Sequence, residues 1–167
     1  MRVLGIDPSL RSTGFGVIEG RGPTLIPLAF GVIKPASGQP LPQKLAEIRE
    51  EIEKIIESYG PDEAAVENPF YARNVKTALL LGQVRGAVLV ALAGRKCAVH
   101  EYSPLEIKKA VTGYGQAAKD QVQVMVRILL GLGDDRIPDD TSDALAAAIC
   151  HLNTKSFHLK IDGQETS

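Results

Sequence analysis

The chain has little cysteine, almost no net charge and no long uninterrupted apolar run. Its two cysteines, Cys97 and Cys150, lie far apart and form no CxxC pair. That excludes a disulfide framework and a cysteine-based zinc site, and both are expected to be reduced core thiols in a cytoplasmic protein. A formal charge of -1 neither supports nor excludes DNA as a partner, because a polyanion needs only one basic face. No apolar stretch approaches the roughly 20 residues of a membrane span. The most apolar segment, residues 78–93, is interrupted by Gln83 and Arg85. No membrane partner is expected. The first residues lack a basic segment followed by an apolar core and a small-residue cleavage site, so no signal peptide is expected. Internal repeats and low-complexity segments are also missing.

What is present fits one domain with a single real core. Residues 2–7, 14–19 and about 24–33 read as strands, the last two joined by a turn at Gly20-Arg21-Gly22-Pro23. Leu41, Leu45, Ile48, Ile52, Ile55, Ile56 and Tyr59 recur at helical spacing, and Gly60-Pro61 stops that helix. A short buried strand ends at Glu67. A second helix from about Val75 to Leu92 is apolar over more than one face, as in a central helix or a subunit interface. Cys97 to Glu101 reads as a fifth strand. Ser103-Pro104-Leu105-Glu106 is a capping box that opens a helix ending near Gly113. Further helices are expected over about 118–131 and from Asp139 or Asp140 to about Asn153. Residues 1–154 form the expected domain, and 155–167 the expected loose tail. This order implies a five-stranded mixed sheet with helices on both faces.

Four acids stand out. Asp7 ends an apolar, β-branched strand, and Glu67 ends another. Asp140 and Asp143 are three apart at the start of the last helix and share a face. An isolated buried charge is too costly to leave unpaired. If the two strands are neighbours, the acids gather and repel unless protonated or bridged by cations. Hard divalent ions with oxygen ligands are the natural bridge, and two ions roughly 4 Å apart can cleave a phosphodiester. Plainer roles exist for each. Asp140 can be a helix cap, with Asp143 favourable at the helix dipole. Asp139 competes with Asp140 for the inward position, Glu67 can be a surface charge, and Asp7 before proline can simply start a turn. His100, His151 and His158 have no metal-ligand spacing to a partner and are expected in core or surface roles.

These residues carry a resemblance. Gly5-Ile6-Asp7-Pro8-Ser9 with Gly14-Phe15-Gly16 is one matched piece, and Val66-Glu67 with Phe70 and Ala72-Arg73-Asn74 is another. Leu81-Gly82-Gln83-Val84-Arg85-Gly86, Ile107-Lys108 with Val111-Thr112-Gly113, Lys119-Asp120-Gln121-Val122, and Asp140-Thr141-Ser142-Asp143-Ala144-Leu145-Ala146 complete the ordered set. The chain resembles the RuvC family of bacterial Holliday junction resolvases over about residues 1–153. The resemblance implies a ribonuclease H-like fold, a homodimer, dependence on two Mg2+ ions per site (Mn2+ substituting), and paired symmetric nicks in four-way junction DNA during recombination and repair. It implies a partnership with a branch-migration motor complex. It makes Asp7, Glu67, Asp140 and Asp143 the catalytic metal ligands and gives phosphate or transition-state roles to Lys119 and Lys108. Two departures stand out: Pro69 beside the matched Phe70, and the extra acid Asp139.

Lys119 near a helix start opposes the dipole, which invites a functional reading beside that of a solvated surface lysine. Phe70, Tyr71 and Arg73 lie in a short turn-rich segment and suit unstacked bases, unless Phe70 packs under its loop. Lys76, Lys108, Lys109 and Arg11 are further candidates for a basic face. Arg85 and Gln83, with Leu79 and Val88, are candidates to line a dimer interface. A nucleotide-binding kinase-like or ATPase-like protein is a rival, since Gly5-Ile6-Asp7 with Ser12-Thr13-Gly14 resembles a phosphate loop. A non-catalytic junction-binding scaffold is a second rival, and an RNA-processing nuclease of the same fold is a third.

Overall fold

The computed structural model describes residues 1–68, 74–133 and 137–162, of which 157–162 are described by backbone alone. Five strands form one sheet in the order β3-β2-β1-β4-β5. They are β1 (Arg2–Asp7), β2 (Thr13–Arg21), β3 (Thr24–Ile33), β4 (Glu63–Glu67) and β5 (Ala98–Tyr102). The first three are antiparallel, while β1, β4 and β5 run parallel. The helices are α1 (Leu41–Tyr59), α2 (Val75–Gly94), α3 (Pro104–Thr112), α4 (Lys119–Leu130) and α5 (Asp139–Asp162). The expected mixed sheet, covered on both faces, is the observed one.

Side chains of a strand alternate between faces, and that alternation divides the interior. Leu4, Ile6, Val17, Ala64 and Val66 pack against Ile48, Ile52 and Ile56 of α1 and Val84, Val88 and Leu92 of α2. Val3, Ile18 and Ala65 face Ile107, Val122, Val126, Leu145 and Ile149 of α3, α4 and α5. The caps follow the sequence. Gly60 closes α1 at φ 55°, and Ser103 with Glu106 forms the reciprocal capping box of α3. Cys97 and Cys150 are buried free thiols.

Two expectations need correction. The backbone of α5 continues to Asp162 rather than ending near Asn153. Lys155 Nζ donates across to Glu63 of β4 at 3.1 Å, and within the helix Thr154 Oγ1 donates back to the Cys150 carbonyl at 2.8 Å. Also, α2 is long and apolar enough to cross a membrane by length and composition alone. Its inner face (Val84, Val88, Ala91, Leu92) is core, and Arg85 pairs with Glu101 of β5.

Candidate active site

Because β1 and β4 are parallel neighbours, with Ile6 opposite Val66, the two strand-end acids leave the sheet side by side. Alternation fixes their face. Val3 of β1 and Ala65 of β4 point toward α5, so Asp7 and Glu67 do as well. The first turns of α5 arrive at this same edge and bring Asp140 and Asp143.

The approach of α5 is close because the sheet carries glycine at the points where the helix backbone meets it. A Cβ at Gly14 would lie 1.9 Å from the Asp140 carbonyl oxygen, and one at Gly5 would lie 1.9 Å from that of Ala144. These glycines are filled by helix backbone, which answers the kinase-like rival: they admit α5 rather than a phosphate chain. The loop after Asp7 is pinned by Thr13, whose Oγ1 donates to the Ser9 carbonyl at 2.5 Å and accepts from the Ser9 amide at 3.2 Å.

The gathered acids raise one another's proton affinity. Burial, then the charges of Glu67, Asp143 and Asp140, push the Asp7 pKa up to about 8. Burial and Asp143 push Glu67 up to about 7, against the opposing pull of Lys119 and Lys108. Burial also raises Asp143, although Lys119 opposes it. Lys119 Nζ stands 3.0 Å from Asp143 and 3.4 Å from Asp139. Burial pulls the Lys119 pKa down, but those two carboxylates outweigh it and hold it above its ordinary value. A pocket of about 160 Å³ joins Glu67, Asp143, Lys108 and Lys119 over a floor that includes Ile107 and Val122. A cluster of carboxylates that resist ionisation, open at one side, is chemically a receptor for hard cations.

Asp139 turns toward α4, where it meets Lys119 and accepts from Gln123 Nε2 at 2.9 Å. Lys76 is exposed in the first turn of α2, Lys109 is exposed on α3, and Arg11 is exposed in the loop after Asp7. Phe70, Tyr71 and Arg73 lie outside the described residues. The interface expectation is corrected in part. Val88 is fully buried against the sheet and Arg85 is engaged by Glu101, while Leu79 is 66% exposed and Gln83 is exposed.

The expectation for the histidines also changes. Side chains of His100 and His151 meet at Glu63. Sequence spacing hid this, because the three come from β4, β5 and α5. The one available signal was Glu63 and His100 at alternate positions of neighbouring strands on the α5 face.

Known proteins agree with this arrangement. Residues 3–151 match the family model for crossover junction endodeoxyribonuclease RuvC. The chain is 43% identical over 157 residues to a protein of that name from Brevibacillus brevis, covering 94% of this chain and 95% of that one. It is 47% identical over 154 residues to one from Chloroflexus aurantiacus, covering 92% and 94%. A solved structure of Thermus thermophilus RuvC in complex with a Holliday junction substrate superposes with a TM-score of 0.90 at 33% identity, covering 95% of this chain and 96% of that one. With the family model spanning nearly the whole length and the sheet, helices and acid pocket all in place, the chain belongs to the RuvC family of crossover junction endodeoxyribonucleases.

Proposed function

We propose that this protein is a structure-selective endonuclease that resolves four-way DNA junctions in recombination and repair, cutting symmetrically in pairs by metal-assisted hydrolysis. The observation that carries the reading is the convergence of Asp7, Glu67 and Asp143, from three distant segments, on one pocket where their pKa values are all raised. Asp7, Glu67, Asp140 and Asp143 are the proposed ligands. Asp140 rather than Asp139 is proposed as the fourth, because its charge is felt at Asp7 while Asp139 accepts from Gln123 Nε2 on α4. Four oxygen donors fit Mg2+, with Mn2+ as substitute and two ions per site.

Bound there, such ions supply Lewis acidity toward a phosphodiester and its attacking water. The chain's own residues do the rest. Lys119 is half exposed beside Asp143 and can hold a phosphate oxygen as negative charge develops on it. Lys108 offers a second cation on the pocket wall. Pro104, Ile107, Val122 and Ala146 limit the water around them. The reaction leaves 5′-phosphate and 3′-hydroxyl ends.

Two cuts on a nearly two-fold junction call for two sites related by a two-fold axis, so a homodimer is proposed. Its partners are junction DNA and, through the family, a branch-migration motor complex in the cytoplasm. Residues 1–154 are proposed as the nuclease domain. Phe70, Tyr71 and Arg73, directly after Glu67 in sequence, are proposed to engage bases at the junction centre.

The test is Mg2+-dependent cleavage of a synthetic mobile junction, read at nucleotide resolution. Paired nicks at symmetric positions are expected, with linear duplex and RNA stem-loops left intact. Asp7→Asn and Glu67→Gln are expected to lose cleavage by at least about 100-fold while still binding the junction. Normal cutting by Asp7→Asn refutes its role as a ligand.

A further inference from the structure

A second polar cluster occupies the same face of the sheet at its other end. Glu63 opens β4, His100 lies in β5 opposite Ala65, and His151 lies two turns along α5 from Asp143. Glu63 and Glu67 are separated by about 13 Å of strand. His151 is fully buried. Its Nε2 is 2.6 Å from Glu63 Oε2, and the Nε2 of His100 is 2.9 Å from the same oxygen. The two rings stack at 4.5 Å between centroids. One donor atom from each of the three residues falls within 4.8 Å of the others.

We propose that Glu63, His100 and His151 form a binding site for a borderline divalent transition metal, of which Zn2+ is the representative, distinct from the acid pocket. Two imidazole nitrogens and one carboxylate oxygen are the donors such ions prefer, whereas Mg2+ prefers oxygen alone.

The surroundings are arranged for that exchange. With no ion, Glu63 Oε2 accepts from the Nε2–H of His151, and the Nε2 of His100 lies in ion-pair range of the same oxygen. With one, each neutral ring carries its proton on Nδ1, and both Nε2 lone pairs turn to the cation. The Nδ1 of His151 is 2.7 Å from the Tyr102 hydroxyl oxygen, which can donate to a bare Nδ1 or accept from Nδ1–H and so partners the ring in either tautomer. Lys155 Nζ donates to the other oxygen, Glu63 Oε1, at 3.1 Å, and leaves Oε2 as the ligand. The His100 side chain is 37% exposed, which opens a fourth position to water. An ion there ties β4, β5 and the second half of α5 together.

The full chain, Asp7→Asn, His100→Ala and Glu63→Gln are dialysed against Zn2+ in excess Mg2+, which occupies the acid pocket. Melting temperature and the visible absorption of added Co2+ are read in parallel. The unmodified chain and Asp7→Asn are expected to retain a single Zn2+ and to melt higher with it. His100→Ala, at a half-exposed position, is expected to fold but to bind Zn2+ at least about tenfold more weakly. It should also lose the Co2+ band, and Glu63→Gln should weaken binding in the same sense. Zn2+ affinity unchanged in His100→Ala, or no uptake by the unmodified chain, overturns the proposal. Since the readout is metal content and not cleavage, neither result depends on the nuclease reading.

Discussion

The Asp7 carboxyl closes a strand in which Val3, Leu4 and Ile6 are wholly sealed from water, and it faces three other carboxylates. Its pKa is about 8 in the metal-free fold against 3.8 as the ordinary value, and that of Glu67 is about 7 against 4.5. Between those limits the folded state keeps protons that the unfolded state has released, so these two groups make the metal-free protein lose stability as pH rises from about 4 to about 8. Asp7→Asn removes the larger part of this penalty. In a chelator at pH 8 the variant is expected to be more stable than the parent by about 1–2 kcal/mol, discounted from the full shift for solvent at the pocket mouth. At pH 5 the gap should shrink, and Mg2+ should reverse it by stabilising the parent more than the variant. Melting curves at the two pH values, with and without Mg2+, check this; a chelated parent that outlasts Asp7→Asn at pH 8 would sink the idea of an overcrowded pocket. Asp7, Glu67 and Asp143 were legible in the sequence because a charge after an apolar strand, or at a helix start, breaks a local pattern. The choice between Asp139 and Asp140 was not. It depends on where Lys119 and Gln123 of α4 stand, which no local pattern records. The meeting of Glu63, His100 and His151 was hidden for the same reason.

Elements explain why the acids stay together. The backbone of α5 lies directly on β1 and β2, at contact distances that only hydrogen substituents at Gly5 and Gly14 allow. A methyl group at position 14 must displace the start of α5, which carries Asp140 and, one turn further on, Asp143. Gly14→Ala is expected to cost about 1–3 kcal/mol, as overpacking against backbone does. Cleavage should fall by at least about tenfold, because ångström-scale misplacement in a catalytic site is that expensive. Thermal melts and single-turnover cleavage test the pair of effects together; Gly14→Ala with parental cleavage would show that α5 does not need this seat. The role of these glycines was invisible in the sequence, where their spacing imitated a phosphate loop. By contrast α1 was legible throughout: Ile48, Ile52 and Ile56 recur at helical spacing, and those are the residues the core takes. The end of α5 was misread because its last turns lack apolar periodicity, while Lys155 ties their beginning to Glu63 of β4.

For the whole molecule, α2 is the element with an unbalanced surface. Its inner side is core, yet Val75, Leu79 and Val90 are 76%, 66% and 62% exposed. An apolar outer face on a helix already buried on the other side is the surface on which a second copy is proposed to dock. That separates it from the sequence expectation, in which Arg85 and Gln83 lined the interface with Leu79 and Val88 nearby. Leu79→Glu is expected to convert the protein to monomers in sedimentation at micromolar concentration. Melting should change little, since the position is outside the core. On the junction it should leave single unpaired nicks. Leu79→Glu that sediments as the parent does would remove α2 from the interface.

Binding to the junction tests the charge distribution at the same scale. A net charge of -1 is compatible with the proposed cationic face. Arg11 follows β1 and Lys76 begins α2 beyond the carboxyl end of β4, while Lys108 and Lys119 line the acid pocket itself. Each contact with a phosphate releases condensed counterions, so the logarithm of affinity should fall linearly with the logarithm of salt concentration, by roughly 0.9 per phosphate neutralised. Asp7→Asn, expected to bind without cutting, is the protein in which to measure it. Lys76→Ala and Lys108→Ala should each reduce the slope by about 1, and because the proposed contacts are to phosphates rather than bases, the loss should be equal for junctions of different sequence. Lys119→Ala should behave differently. Its ammonium already offsets Asp143 and Asp139, so removing it exposes unneutralised carboxylate to the DNA. Affinity without metal should then fall more than a lost phosphate contact explains, and added Ca2+ should recover the difference. A salt slope near zero in Asp7→Asn would mean that the acids dominate this face and that junction DNA docks elsewhere.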